Sequence, residues 1–306
     1  MDELRRLAAR AENRRTETGI PRLAMAQGVI PEHELAAVYE PMINLILRGS
    51  KSMTIGGKTL RYDPATYFVM SVDLPAIGTV HAEPTGEPYL AVSLTLDRAV
   101  IASLLEQAPL LAGEGAGFSV AATTPELLDA WVRLMRLTER PEDIPILAPA
   151  YEREVLYRVL QGPQGWLLRD IATPGAALSG IHAAVRWMRE HFDQPAPIED
   201  LARLAAMSVS AFHRRFKAVT SMTPLQFHKT IRLIQARRLM VSEALGAAEA
   251  SDRVGYESPS QFSREYARLF GRSPRRDAAE LIGQWRGDIG GHGQGGSASL
   301  HPDPFS

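Results

Sequence analysis

The chain has no cysteine in its 306 residues. Disulfides, thiolate metal ligands, cysteine nucleophiles and thiol redox sensing are therefore excluded. Histidine is scarce in the first half, where only His33 and His81 occur, far apart and without the clustered His and Glu that a first-row metal requires. They read as ordinary histidines, so no metal, no other cofactor and no enzyme activity is expected. No apolar run reaches the length of a membrane span, and the opening Met1-Asp2-Glu3-Leu4-Arg5-Arg6 has no apolar core behind it. Neither a membrane partner nor an export signal is expected, and the expected location is the cytoplasm. At this length the chain should form roughly two domains, each with its own core.

A clear overall charge bias is also lacking, because 34 basic and 35 acidic residues leave a net charge of −1. That near-neutrality hides a segregation. Up to Gly175 there are 17 basic and 22 acidic residues, and beyond it 17 basic and 13 acidic, so the two parts carry −5 and +4. From Leu201 through Ser242 there are eight basic residues (Arg203, Arg214, Arg215, Lys217, Lys229, Arg232, Arg237, Arg238) and no acidic one. Such a run is either a solvated helical face or an attractor of phosphate.

An internal repeat decides between them. Ser208, Ser210, Phe212, Arg214, Phe216, Thr223 and Pro224 recur fifty residues later as Ser258, Ser260, Phe262, Arg264, Tyr266, Ser273 and Pro274. Aromatics four apart lie above one another on a helix, so each pair marks a buried edge and is read as core rather than as a base-stacking surface. Neighbouring residues on the other faces point outward: Ser210, His213 and Arg214, with Lys217 one turn on, in the first copy, and Ser260, Gln261 and Arg264 in the second. Each copy ends at a hydroxyl followed by proline, a helix restart signal. Two helix-turn-helix units in one basic module imply DNA binding. Arg214 and Arg264 suit guanine O6 and N7 or a phosphate equally, and the sequence leaves those roles open. A helix from Pro224 to about Val241 would link the units and fix their separation.

From about Ser179 to Leu281 the chain resembles the DNA-binding domain of AraC/XylS-type transcription regulators. The matching residues are Val254-Gly255-Tyr256-Glu257-Ser258, Gln261-Phe262-Ser263-Arg264 and Phe270-Gly271-Arg272-Ser273-Pro274, with Leu201-Ala202, Met207-Ser208, Phe212, Arg214, Phe216-Lys217 and Thr223-Pro224 in the first unit. Arg140-Pro141-Glu142-Asp143-Ile144-Pro145 and the Gly162-Pro163-Gln164-Gly165 turn resemble the N-terminal half of one subgroup. The pattern departs at Asp277 and Ala278, where an aromatic and a basic residue are usual, and at Tyr266-Ala267, where Phe-Lys is usual. The resemblance implies an effector-responsive activator that binds double-stranded promoter DNA, contacts RNA polymerase and acts as a homodimer.

The N-terminal half reads as charged and rich in helix formers over 1–18, then as strands. Pro41 to Arg48 is one strand, Ser52 to Ile55 and Lys58 to Tyr62 flank a Gly56-Gly57 turn, and Thr66 to Val72, Val80 and Tyr89 to Leu96 continue the pattern. Helices are expected at about 97–107, 125–138 and 150–161. The expected fold class is α+β: a cupin-like β-barrel with helices over 1–175 for effector binding and dimerisation, an all-α double helix-turn-helix domain over 176–286, and a disordered tail over 287–306. A small organic effector would be lined by Tyr39, Met42, Met53, Tyr67, Phe68 and Met70. The apolar face Leu127, Leu128, Trp131, Leu134 and Met135 is expected to meet a second chain. The alternatives are a cupin-type enzyme fused to a DNA-binding domain and an architectural protein without a ligand.

Overall fold

A computed structural model of the chain describes residues 1–11, 14–28, 34–64, 66–107, 115–172 and 177–290. The expected domain boundary near 175 and the part of the expected tail beyond 290 lie outside those residues. After a short helix α1 (Asp2–Ala8), the described strands are β1 (Arg14–Glu17), β2 (Leu23–Gly28), β3 (Glu34–Tyr39), β4 (Met42–Arg48), β5 (Ser50–Ile55), β6 (Lys58–Tyr62), β7 (Thr66–Met70), β8 (Leu74–His81), β9 (Tyr89–Thr95) and β10 (Phe118–Ala122). They form two antiparallel sheets, β1-β2-β9-β4-β7-β10 and β3-β8-β5-β6. No ladder joins one sheet to the other among the described residues, so the expected barrel is not closed.

Alternation along β4 and β7 explains the layers. Ile43, Leu45, Leu47, Tyr67 and Val69 point to one face of the larger sheet, and Ile46, Phe68 and Met70 point to the other. Both faces are covered, which is why β4 is nearly continuously apolar. The first face packs on α1, α2 (Arg98–Leu105), α3 (Pro125–Arg136), α4 (Ile144–Gln161) and α5 (Gly165–Ala172). Leu127, Trp131, Leu134 and Met135 are wholly buried in that layer, and Leu128 packs against it. The apolar face expected to meet a partner chain is therefore filled by the chain itself.

Two elements differ from expectation for local reasons. Only Asp2–Ala8 of the first stretch is helical, and Arg14–Glu17 is instead drawn into the sheet by pairing with β2. Helix α4 begins at Ile144, six residues earlier than expected, because Pro145 occupies its first turn, where no amide hydrogen is required, and Pro149 is accommodated inside.

The remaining helices are α6 (Ala177–Glu190), α7 (Ile198–Leu204), α8 (Val209–Thr220), α9 (Pro224–Ser242), α10 (Ala247–Arg253), α11 (Pro259–Phe270) and α12 (Pro274–Gly290). Helix α12 runs through 287–290, where the tail was expected to begin. No described helix is long and apolar enough to cross a membrane. The first helical unit shares a core with the sheets: Tyr62, Phe68 and Phe118 belong to one apolar cluster with Phe212, Phe216, Phe227 and Ile231. Backbone contacts reinforce it. Gly117 N donates to Val219 O at 2.8 Å, and the β5–β6 turn approaches Ser221 so closely that a Cβ on Gly56 would lie 2.5 Å from Ser221 O. On α6, Arg189 donates to Asp73 at 2.5 Å and to Glu40 at 3.1 Å.

Two histidines of this helical region are held neutral. His182 on α6 is lowered to about 4 by burial, then by Arg98 and Arg186, and His228 on α9 is lowered to about 4 by burial, then by Arg232. Both folded values lie below the ordinary 6.5, so the unfolded chain binds more protons between pH 6.5 and 4. Their contribution is complete above pH 6.5 and is lost on acidification through that window, at up to about 1.4 kcal/mol per pH unit for each. Urea titrations between pH 7.5 and 4.5 should show that decline, and His182→Gln should make it shallower, leaving the His228 part; a stability independent of pH there would contradict the assignment.

Candidate nucleic-acid interface

The two units are built alike. Ser208 and Ser258 cap α8 and α11, each side chain accepting the amide hydrogen of the third following residue at 3.3 Å. Both helices end on a left-handed residue, Ser221 at φ 60° and Gly271 at φ 73°. The turns that enter them also contain a left-handed residue, Ala206 at φ 54° and Gly255 at φ 76°. At Gly255 a side chain would in addition lie 2.2 Å from Asp193 O, so glycine is required there twice over.

Phe212 and Phe216 on α8, and Phe262, Tyr266 and Phe270 on α11, are buried. Opposite them Ser210, His213, Arg214 and Lys217 are exposed on α8, and Ser260, Gln261 and Arg264 are exposed on α11. All seven expected DNA-binding residues therefore lie on solvent faces of the second helices. Arg268, one turn beyond Arg264, joins the same exposed face; the four-residue spacing from Arg264 was the available signal.

The charge count overstated the exposed positive surface. Three of the eight basic residues between 201 and 242 are held within the fold. Lys229 Nζ donates to Glu265 at 2.7 Å. Arg232 donates to four backbone carbonyls, those of Phe192 at 2.6 Å, Gly255 at 2.9 Å, Gln194 at 3.0 Å and Asp193 at 3.3 Å. Arg237 grips buried Asp277 through two bonds of 2.8 and 3.1 Å and lies 4.6 Å from the Phe270 ring centroid.

Asp277 also explains Tyr266. The phenol donates to Asp277 Oδ2 at 2.8 Å, and its pKa is pushed up by burial and by the adjacent carboxylate. Two departures from the resembled pattern are thus one interaction, in which a tyrosine hydroxyl and an arginine satisfy the carboxylate that anchors α12. Phenylalanine at 266 would leave that carboxylate one donor short.

Between the sheets is a cavity of about 50 Å³, bordered by Tyr39, Met42, Asn44, Lys51, Tyr89 and Ser93 among others. Of the expected effector residues, Tyr39 and Met42 border it. Met53, Phe68 and Met70 fill the core between the sheets, and Tyr67 points to the helical layer. Lys51 and Asn44 escaped the sequence reading. Lys51 Nζ sits 5.0 Å from the Tyr39 ring centroid, and burial lowers the amine to about 8; Asn44 donates to Val92 O and accepts from the Tyr62 hydroxyl. His81 Nε2 lies 3.1 Å from Ser52 Oγ, and His33 lies outside the described residues. Among the described residues no three His, Asp or Glu side chains gather as metal ligands.

A family model described as the AraC-type transcriptional regulator N-terminus matches residues 19–167, and one described as a helix-turn-helix domain matches residues 201–279. The chain belongs to the AraC-type transcription regulators. This AraC-type chain is 33% identical over 108 residues to the MmsAB operon regulatory protein of Pseudomonas aeruginosa, covering 35% of this chain and 34% of that protein. It is 29% identical over 145 residues to the HTH-type transcriptional activator RhaS of Salmonella schwarzengrund, covering 47% of this chain and 51% of that one. The matches thus span about a third to a half of these relatives. In fold it is similar to ToxT from Vibrio cholerae solved with an unsaturated fatty acid, at a TM-score of 0.53 and 13% identity over 85% of this chain and 95% of that one.

The Arg237–Asp277–Tyr266 group predicts graded losses. Asp277→Ala strands a buried guanidinium and should destabilise the C-terminal helices by about 3–5 kcal/mol. Tyr266→Phe removes one hydrogen bond to a charged group and should cost roughly 1.5–3 kcal/mol. In chemical denaturation, Tyr266→Phe added to Asp277→Ala should cost far less than Tyr266→Phe alone; simple additivity would show the two groups to be independent.

Proposed function

We propose that the chain regulates transcription by binding promoter DNA through α8 and α11, in response to a small organic effector taken up between the sheets of its N-terminal half. The observation that carries this reading is the pair of alike units, each presenting basic and polar side chains on an exposed helix opposite a buried aromatic edge. Helix α9, of 19 residues, separates the units by roughly 28 Å at 1.5 Å per residue, close to one turn of duplex DNA. Two helices at that separation would enter successive major grooves on one side of the duplex.

The relative named as a transcriptional activator, RhaS, supports activation of transcription; RNA polymerase as a partner and a cytoplasmic location belong to the same reading. Residues 1–175 would form the effector and dimerisation part, and 176–286 the DNA-binding part. Two copies of the chain would raise the local concentration of DNA-binding units at adjacent sites. The fatty-acid complex of a protein with the same fold supports a ligand in this fold, and the cavity beside Tyr39 and Met42 is the candidate entrance.

Binding of the full-length chain to duplex DNA should weaken steeply with salt, as phosphate counterions are released. Arg214→Ala and Arg264→Ala should each cost about 1–3 kcal/mol on the selected site and much less on random DNA, whereas Lys217→Ala should weaken both alike. A folded chain without affinity for any duplex at low salt would overturn the reading. For the effector, a panel of small organic acids and long-chain fatty acids is screened by thermal shift. A hit should raise the melting temperature of the intact chain and lose that effect in Met42→Trp, which fills the cavity mouth.

A further inference from the structure

Helix α11 contains an acidic residue on the side that meets DNA in the proposed function. Glu265 is not a free negative charge. Its Oε1 accepts from Lys229 Nζ at 2.7 Å and from Gln261 Nε2 at 3.1 Å, and its Oε2 accepts from the Tyr256 hydroxyl at 2.8 Å. The Glu265 side chain is 14% exposed, whereas Gln261 and Arg264 are exposed. Gln261, Arg264, Glu265 and Arg268 together line an open recess along this helix. Burial pushes the Glu265 carboxyl up, but the bonds from Lys229, Tyr256 and Gln261 outweigh it and hold the group below the ordinary carboxylate value. It is therefore ionised at neutral pH and can only accept.

That fixes the neighbouring amide. A glutamine side chain has a donor end and an acceptor end that exchange on a half-turn about its last torsion, and an isolated surface glutamine samples both. Only the NH2 end can donate to a carboxylate, so Glu265 selects one orientation. The backbone below is fixed as well, because Gln261 N donates to the Ser258 cap. What remains on Gln261 is a carbonyl oxygen and one N–H, side by side. In the major groove adenine offers N7 as an acceptor beside an N6 donor, which matches that pair. Guanine offers two acceptors, cytosine only a donor and thymine only an acceptor.

We propose that Gln261 reads an adenine in the major groove and that Glu265, backed by Lys229 and Tyr256, is the positioning residue that sets the orientation of its amide. This rests on the reading of α11 as a DNA-contacting helix. It adds the base that one position of the helix selects and the residue that enforces the choice. Glu265 itself touches no base: its lone pairs are directed to Lys229, Tyr256 and Gln261.

The test uses the full-length chain and a random-sequence duplex library. Repeated selection at low salt yields a preferred site, and binding is then compared for all four base pairs at each position. The wild-type chain should prefer A·T at one position of the half-site read by α11, and Gln261→Ala should lower that preference by about tenfold or more. Glu265→Gln keeps the volume but lets the amide turn either way, so it should relax the same position several-fold while preferences in the other half-site stand. A merely structural role would lower affinity at all positions together and leave each preference intact. Should Glu265→Gln melt well below the wild type, Lys229→Met combined with Tyr256→Phe, which leaves Glu265 unanchored, should relax the same position.

The outcomes separate the two claims. Failure of the wild-type chain to enrich any sequence overturns the DNA-binding reading and this inference with it. A selected site in which Gln261→Ala changes no base preference, or changes one for G·C, overturns the inference alone. Loss of the A·T preference in Gln261→Ala with full retention in both the Glu265 and the Lys229/Tyr256 variants overturns the positioning role.

Discussion

The Arg232 guanidinium is the constraint on which the geometry of the C-terminal half depends. It projects from the middle of α9 and donates to the carbonyls of Phe192, Asp193 and Gln194, just beyond α6, and to that of Gly255, in the turn before α11. Burial lowers its pKa, but an arginine still remains charged, and the four carbonyl dipoles compensate the lost hydration. A single side chain on the linking helix thus ties the segment that follows α6 to the turn of the second unit. Gly255 is part of the same joint, since any Cβ there would strike Asp193 O. Without this joint the placement of α11 relative to α6 and α8 would rest on its packing against α9 and on the Lys229–Glu265 pair.

How far this was legible in the sequence depended on whether a residue's role was local. Phe212 and Phe216, Phe262 and Tyr266, and the hydroxyl-proline restarts are governed by spacing along one helix, and all were readable. The partners of Arg232, Arg237 and Lys229 lie 23 to 40 residues away, so no local pattern distinguishes them from the exposed Arg214, Arg215 and Lys217. Counting charge therefore identified a basic module correctly but assigned too many of its members to the solvent. Glu265 was missed for the complementary reason: as one acid among outward-facing residues it gives no sign of the three donors that converge on it.

The same distinction runs through the N-terminal half. Strands with their own turn signals, such as β5 and β6 about Gly56-Gly57, were legible. Strand β2 was not, because Leu23-Ala24-Met25-Ala26-Gln27 is made of good helix formers and becomes a strand through its pairing with β1 and β9. Lys51 has the mirror problem. In the run Ser50-Lys51-Ser52-Met53 it reads as a solvent position, yet it shares the inward face with Met53 and is only 3% exposed, because the six-stranded sheet folds over it. A buried polar residue is visible in the sequence only when its cover is, and here the cover comes from strands far along the chain.

The two helical units look alike in sequence but are mounted differently. The first is set directly on the sheets, with Phe216, Val219 and Met222 in the same apolar cluster as Tyr62, Phe68 and Tyr89. The second is built around its own cluster of Phe262, Tyr266 and Phe270 with Leu233, Ile234 and Met240 of α9, which among the described residues the sheets touch through the half-buried Ala36 and Val38. A change in how the two sheets pack bears first on α8, where the contacts are continuous. It reaches α11 chiefly through α9 and the Arg232 joint. Since a bound ligand shifts an arrangement only through contacts that differ between arrangements, the asymmetry of mounting gives such a ligand a lever on one unit relative to the other. Two identically mounted units would move together.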